Sequence, residues 1–233
     1  MYIILLLFFI IIIFIICYYL LYEEEHFGNY DIDSFFKGAP KKGHYINVLK
    51  NVEKRGITFL EKFKNIIGKT LILDIDDTLV WTNPYNFENP KNGHFEQLKP
   101  IIDLAKHASK IGYHIIIITA RSPEIEHLTY SNLHKYGLYP DKVFTSILYG
   151  QDPSFKAVMR KNLEYLTINQ IKKMSSLDLF NFKPNKHKPL KIIMTIGDKW
   201  HDIDGMNNVL GIKLPEPRDM NTYYYYNGII DVF

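Results

Sequence analysis

Asp74-Ile75-Asp76-Asp77-Thr78 is the stretch whose residue types and spacing could do chemistry. It follows Lys69-Thr70-Leu71-Ile72-Leu73, a run apolar enough to read as a buried parallel strand. Bunched carboxylates repel one another and are costly to desolvate. A buried strand that ends in three of them predicts a cation or a proton to offset them at that end. Mg²⁺ is the simplest choice, because it takes hard oxygen ligands and keeps some waters. In extended backbone, residues i and i+2 point the same way. Asp74 and Asp76 therefore face one site, and Asp77 turns aside. One carboxylate of such a pair can attack phosphorus and carry it as an aspartyl-phosphate. The other can protonate the leaving oxygen and later take a proton from water. Taken alone, the same residues also read as a strand end followed by an acidic, helix-capping turn.

Two further stretches end in polar groups in the same way. Tyr113–Thr119 is a second apolar run, closing on Thr119-Ala120-Arg121. A strand-end threonine can donate its hydroxyl to a phosphate oxygen. Arg121 could hold phosphate or a substrate group, or equally make a structural salt bridge. Lys191–Ile196 runs into Gly197-Asp198-Lys199-Trp200-His201-Asp202, where Gly197 permits a tight turn. Asp198 is placed to complete a Mg²⁺ shell, and Asp202 to orient a metal-bound water or Lys156. His201 is a poor Mg²⁺ ligand, because that ion prefers oxygen.

Asp74–Leu79 resembles the first motif of the haloacid dehalogenase-like (HAD) phosphohydrolases. Its continuation Val80-Trp81-Thr82-Asn83-Pro84-Tyr85 is similar to the acid phosphatase branch, class B-type or subfamily IIIB, which includes plant acid phosphatases and vegetative storage proteins. Thr119 resembles the second motif, Ser154-Phe155-Lys156-Ala157 the third, and the Asp198 segment the fourth. Gly211–Pro217 and Tyr223–Tyr225 are similar to a C-terminal segment of the plant members. The resemblance covers roughly residues 69–226. It implies Asp74 as nucleophile, Asp76 as acid and base, and Thr119 and Lys156 as the groups that hold the phosphoryl oxygens. Substrate contacts would come from Thr119, Ala120, Arg121 and Lys156. Mg²⁺ would be held through Asp74, Asp76 (by its main-chain carbonyl), Asp198 and Asp202. Arg160 and Lys161 compete with Lys156 for the third-motif cation.

These residues need elements to position them. Apolar spacing predicts an amphipathic helix over Tyr45–Ile67 and strands at Thr70–Ile75, Tyr113–Thr119, Lys142–Leu148, Lys191–Ile196 and Val209–Leu214. Helices are expected at Glu96–Lys110, Pro123–Tyr136 and Pro153–Leu166. Ile168–Pro189 reads as a polar insertion or long loop. Strands alternating with helices predict an α/β fold, a Rossmann-like three-layer sandwich with a mostly parallel central sheet. The intervals from Asp74 to Thr119 to Lys156 leave room for a minimal cap only. A flap from Trp81 to His94 would offer Trp81, Tyr85 and Phe87 for stacking.

The chain has 233 residues, a net charge of +3 and 47% hydrophobic residues, so one sizeable core fits and composition does not indicate a nucleic-acid binder. Cys17 is the only cysteine, so no internal disulfide is possible. Residues Tyr2–Tyr22 carry no charge, proline or glycine, which is enough to span a bilayer core as a transmembrane helix. The expected organisation is an anchor at 1–22, a tether at 23–44 and a phosphatase domain at 45–233. Lys37, Lys41 and Lys42 argue for a cytoplasmic domain, whereas the acid phosphatase resemblance argues for export. The function expected is Mg²⁺-dependent hydrolysis of phosphomonoesters. The alternatives are a polynucleotide 3′-phosphatase or nucleotidase on the same core, and a non-catalytic storage or interaction protein.

Overall fold

A computed structural model describes residues 42–81, 96–147, 154–184, 187–203, 209–215 and 224–226. In chain order the strands are β1 (Lys69–Leu73), β2 (Val80–Trp81), β3 (Glu96–Gln97), β4 (His114–Ile118), β5 (Lys142–Phe144), β6 (Lys191–Gly197), β7 (Leu210–Lys213) and β8 (Tyr224–Tyr226). The helices are α1 (Lys42–Lys62), α2 (Lys99–Lys110), α3 (Glu126–Lys135), α4 (Phe155–Leu163), α5 (Ile168–Ile171) and α6 (Ser176–Phe180).

Six strands form one sheet in the order β5-β4-β1-β6-β7-β8. All neighbours are parallel except β7 and β8. The chain leaves β1 towards β4 and leaves β6 towards β7. The connections therefore diverge between β1 and β6, which opens a crevice at their carboxyl ends.

The period-2 alternation of the strands sorts side chains to two cores. Leu71, Leu73, Ile115 and Ile117 face α1 and α2, meeting Leu49, Val52 and Leu104. Ile72, Ile116 and Ile118 face the other way, onto Phe155, Met159 and Leu163 of α4. Helices thus cover both faces of a mostly parallel sheet, as the alternation of elements predicts.

Several expectations change in detail. The first helix stops at Lys62 and Ile67 is 93% exposed. Gly68, at φ +70°, reverses the chain into β1 instead. Glu96 and Gln97 pair antiparallel with β2 rather than starting the helix, which begins at Lys99 with Pro100 in its first turn. β5 ends at Phe144, four residues before the expected Leu148. The segment expected as a loop at 168–189 holds two short helices. Thr167 and Ser175 start them with reciprocal capping boxes to Gln170 and Asp178. Ile171 and Leu179 are fully buried beside α4, so the segment completes a core layer. Residues 1–22, the tether to 41 and most of the expected flap, Tyr85 and Phe87 included, lie outside the described residues. Among the described residues no helix is long and apolar enough to cross a membrane.

Candidate active site

The turn after β1 aims the carboxylates. The Asp74 N–H donates to the Ile196 carbonyl at 3.0 Å, which carries the β1–β6 ladder one residue further. The Ile75 carbonyl then accepts from the N–H groups of Thr78, Leu79 and Val80 at 3.1, 2.7 and 3.0 Å. Asp77 takes the left-handed conformation this turn needs, at φ +56°, which Asp tolerates better than most residues. Asp74 and Asp76 emerge with different partners.

Asp74 Oδ1 accepts from Lys156 Nζ at 2.8 Å. The same ammonium donates to Asp202 Oδ1 at 2.6 Å. All three side chains are almost fully buried. Lys156 stands on the first turn of α4, which points it at the β1 and β6 ends. Its pKa is raised: burial opposes the charge, but the Asp74 and Asp202 carboxylates outweigh it. Arg160, one turn on, is also buried, whereas Lys161 is exposed. The order of motifs thus singles out the lysine that touches the nucleophile candidate.

Asp202 Oδ2 accepts from the Lys199 N–H at 3.0 Å and so caps the 3₁₀ turn Trp200–Asp202. Asp202 sits directly over Gly197, where any Cβ would collide with the Asp202 Cβ. That contact gives the glycine a packing reason beyond turn flexibility. Asp198 is buried beside them, with Lys199 Nζ 3.7 Å from its Oδ2.

Carboxylate oxygens of Asp74, Asp198 and Asp202 lie within 4.8 Å of one another. Burial raises the Asp198 pKa to about 8, with Asp74, Asp202 and Asp77 adding repulsion. Burial also raises Asp74 to about 7 despite the Lys156 contact. Lys156 and the half-exposed Lys199 touch these three buried acids, yet burial still holds Asp74 and Asp198 above the ordinary carboxylate range, and the donors are all oxygen. The residues present therefore fit a hard divalent cation. Asp202 has both oxygens engaged, by Lys156 Nζ and by the Lys199 N–H. The Asp76 carboxylate lies outside this cluster, which leaves only its main-chain carbonyl for a metal role.

Asp76 turns to Arg121 instead. Arg121 Nε donates to Asp76 Oδ2 at 2.9 Å, and its Nη2 to Oδ1 at 2.6 Å. Its Nη1 donates to Thr129 Oγ1 at 3.2 Å. The Arg121 carbonyl accepts from both the N–H and Oγ of Ser146, at 2.9 and 3.1 Å. Of the two roles open for Arg121, the structure shows the ion pair, and its partner is the acid–base candidate itself. Thr119 is buried next to it, and its Oγ1 accepts from the Arg121 N–H at 3.2 Å. A hydroxyl used there as acceptor keeps its proton to donate. Ala120 is exposed between them. Thr129 and Ser146 belong to no motif, and nothing in their sequence neighbourhood marks them.

A parallel α/β sheet, with a carboxylate nucleophile candidate bridged by a buried lysine at the diverging strand ends, defines a phosphatase site. Residues 49–224 match the family described as HAD superfamily, subfamily IIIB (acid phosphatase), and the chain belongs to it. Among solved structures it is similar to the class C acid phosphatase from Bacillus anthracis, with TM-score 0.52 and 18% identity over 74% of this chain and 69% of that one. The tungstate-bound form of that enzyme gives TM-score 0.50 and 16% identity, over 72% and 68% of the two chains. These likenesses are of fold. No curated protein sequence matches the chain.

Proposed function

We propose that this phosphatase hydrolyses phosphomonoesters through an aspartyl-phosphate on Asp74, with Mg²⁺ as its cation. The observation that carries the reading is the Lys156 bridge to Asp74 and Asp202 at the carboxylate cluster. Lys156 occupies Asp74 Oδ1, and Oδ2 is the oxygen that attacks phosphorus. As the Asp74–phosphorus bond forms, the bond to the leaving alcohol breaks and Asp76 gives that oxygen its proton. In the second half, Asp76 takes a proton from water as the water oxygen attacks phosphorus. The Asp74–phosphorus bond breaks, inorganic phosphate leaves, and Asp76 is protonated again.

Arg121 fixes the orientation of Asp76 through both carboxylate oxygens, and one of those contacts yields when Asp76 carries its proton. Thr119 and Lys156 donate to the equatorial oxygens, where charge builds in the transition state. Mg²⁺, held by Asp74, Asp198 and the Asp76 carbonyl, supplies charge that keeps Asp74 ionised and screens the incoming phosphate.

Hydrolysis of an aryl phosphate by residues 40–233, with Mg²⁺ and with chelator, tests the reading. Asp74→Asn is expected to remove turnover while the thermal transition stays cooperative. Retained activity in a clean Asp74→Asn preparation would sink the mechanism.

A further inference from the structure

The outer edge of β5 borders a cleft of about 450 Å³ that the chemistry above does not use. Its size is that of a small-ligand site, roughly 300–1,000 Å³. One wall is β5 and the residues just after it, a second is the start of α3, and the third is the 173–177 segment joining α5 to α6. Thr145, Ser146 and Ile147, which follow β5, bring one end of it to the carboxyl edge where Asp74 lies, and Lys142, the first residue of β5, lines it further towards the amino end. Two strand spacings of about 4.8 Å separate β5 from β1, so the cleft begins about 10 Å from the nucleophile. Ser146, in its wall, is the residue that holds the Arg121 carbonyl.

The edge of β5 is closed to an added strand. The Val143 N–H donates to the Tyr130 hydroxyl, and the Thr145 N–H to Ser176 Oγ, each at 3.0 Å. A peptide seeking those main-chain donors would find them satisfied, which excludes β-augmentation. What remains is a small-molecule surface. Lys142 and Lys173 line it, with Thr145, Ser146, Ser175 and Ser176 between them. Among the described residues neither lysine forms an ion pair, unlike the adjacent Lys172, which bonds Asp141 at 2.8 Å. Among the described residues Glu126 is the single acid in the lining, against the two lysines. Among the described residues none of the lining side chains is aromatic, and the polar ones are hydroxyls and charges.

We propose that this cleft is the distal subsite of the phosphatase. It takes a second anionic group carried on a non-aromatic, hydroxyl-bearing leaving group, of the kind a phosphorylated sugar or polyol presents. The hydroxyls pair with the polyol and the two lysines with the anion. This assignment rests on the phosphomonoesterase reading for its link to Asp74. A hexose 1,6-bisphosphate, with phosphates at opposite ends of the sugar, is the probe of that class.

The test compares glucose 1,6-bisphosphate, glucose 6-phosphate and an aryl phosphate on the wild type and on Lys142→Ala/Lys173→Ala. Binding of the bisphosphate to both proteins on an Asp74→Asn background is measured by calorimetry in parallel. The double variant is expected to raise KM for the bisphosphate about tenfold. Its kcat, and its turnover of the two single phosphates, should not change. Binding on the Asp74→Asn background should weaken by the same factor. Lysine-dependent binding without any hydrolysis would keep the subsite and remove the phosphomonoesterase reading. Aryl phosphate turnover with equal bisphosphate affinity in both proteins would overturn the subsite and leave the phosphatase standing.

Discussion

Lys156 is the residue on which the charge balance of the site turns. It is the one buried cation touching the carboxylate cluster among the described contacts, and it touches two of the three members. Breaking a buried pair from one side leaves the partner charges uncompensated, which costs about 3–5 kcal/mol. Lys156→Met, close in volume, is expected to lose that much stability in chelator and to lose activity about 10²–10³-fold. Mg²⁺ should restore part of the stability and none of the rate, since the ion can replace the charge but not the donor to the phosphoryl oxygen. Thermal denaturation with and without Mg²⁺ checks this. A variant as stable as the wild type in chelator would show that Lys156 is not the compensating charge. Lys156 was legible in the sequence by its order among the motifs, as were Asp74, Asp198 and Asp202, because strand-end acids in an apolar run have few structural explanations. The Asp76–Arg121 pair was not legible. It joins residues from the turns after two different strands, and Thr129 and Ser146, which anchor it, are ordinary polar residues in their own segments.

At the scale of elements, the contact between α1 and α2 sets how closely the first helical layer lies on the sheet. Gly56, in the middle of α1, faces Leu104 of α2, and any Cβ there would strike Leu104 Cδ1. Leu104 is fully buried and has no open side to move into. Gly56→Val is therefore expected to destabilise by about 1–3 kcal/mol through overpacking, even though a helix interior normally gains from losing glycine. Urea unfolding would read the loss as a shift of midpoint, and an unchanged midpoint would mean the helices part without strain. Helical periodicity announced α1 and α2, but not that a glycine marks where they cross. The 168–180 segment, which reads as an insertion or long loop, hides its two short helices for a different reason. Its lysines and polar residues suggest a solvated loop, while only Ile171 and Leu179 of its two short helices reach the core. The capping boxes, Thr167 with Gln170 and Ser175 with Asp178, were the available signal. They were readable at the spacing of a helix start.

For the whole molecule, the buried carboxylate cluster is a cost in stability. Folding raises the Asp74 carboxyl from an ordinary value of 3.8 to about 7 and Asp198 to about 8, mainly by burial. Between about pH 4 and 8 the folded chain therefore binds more protons than the unfolded chain. Stability in chelator must fall as pH rises through that window. Asp141 works in the opposite sense. Its hydrogen bonds from His114, Lys172 and the Ile115 N–H outweigh burial and lower its pKa to about 2. Its contribution is complete by about pH 4 and leaves the slope above that to the cluster. The Lys156 contribution, from a pKa raised above 10.5, is present throughout the same range. A divalent ion bound at Asp74 and Asp198 would do the work of the missing protons. Mg²⁺ should stabilise little at pH 5 and raise Tm by roughly 5–10 °C at pH 8. Melting curves at both pH values, with Mg²⁺ and with chelator, decide the matter. A chelator Tm that holds level or rises from pH 5 to 8 would mean that the buried acids ionise without penalty. The cluster would then need no ion to fold, and the case for a resident cation would rest on catalysis alone.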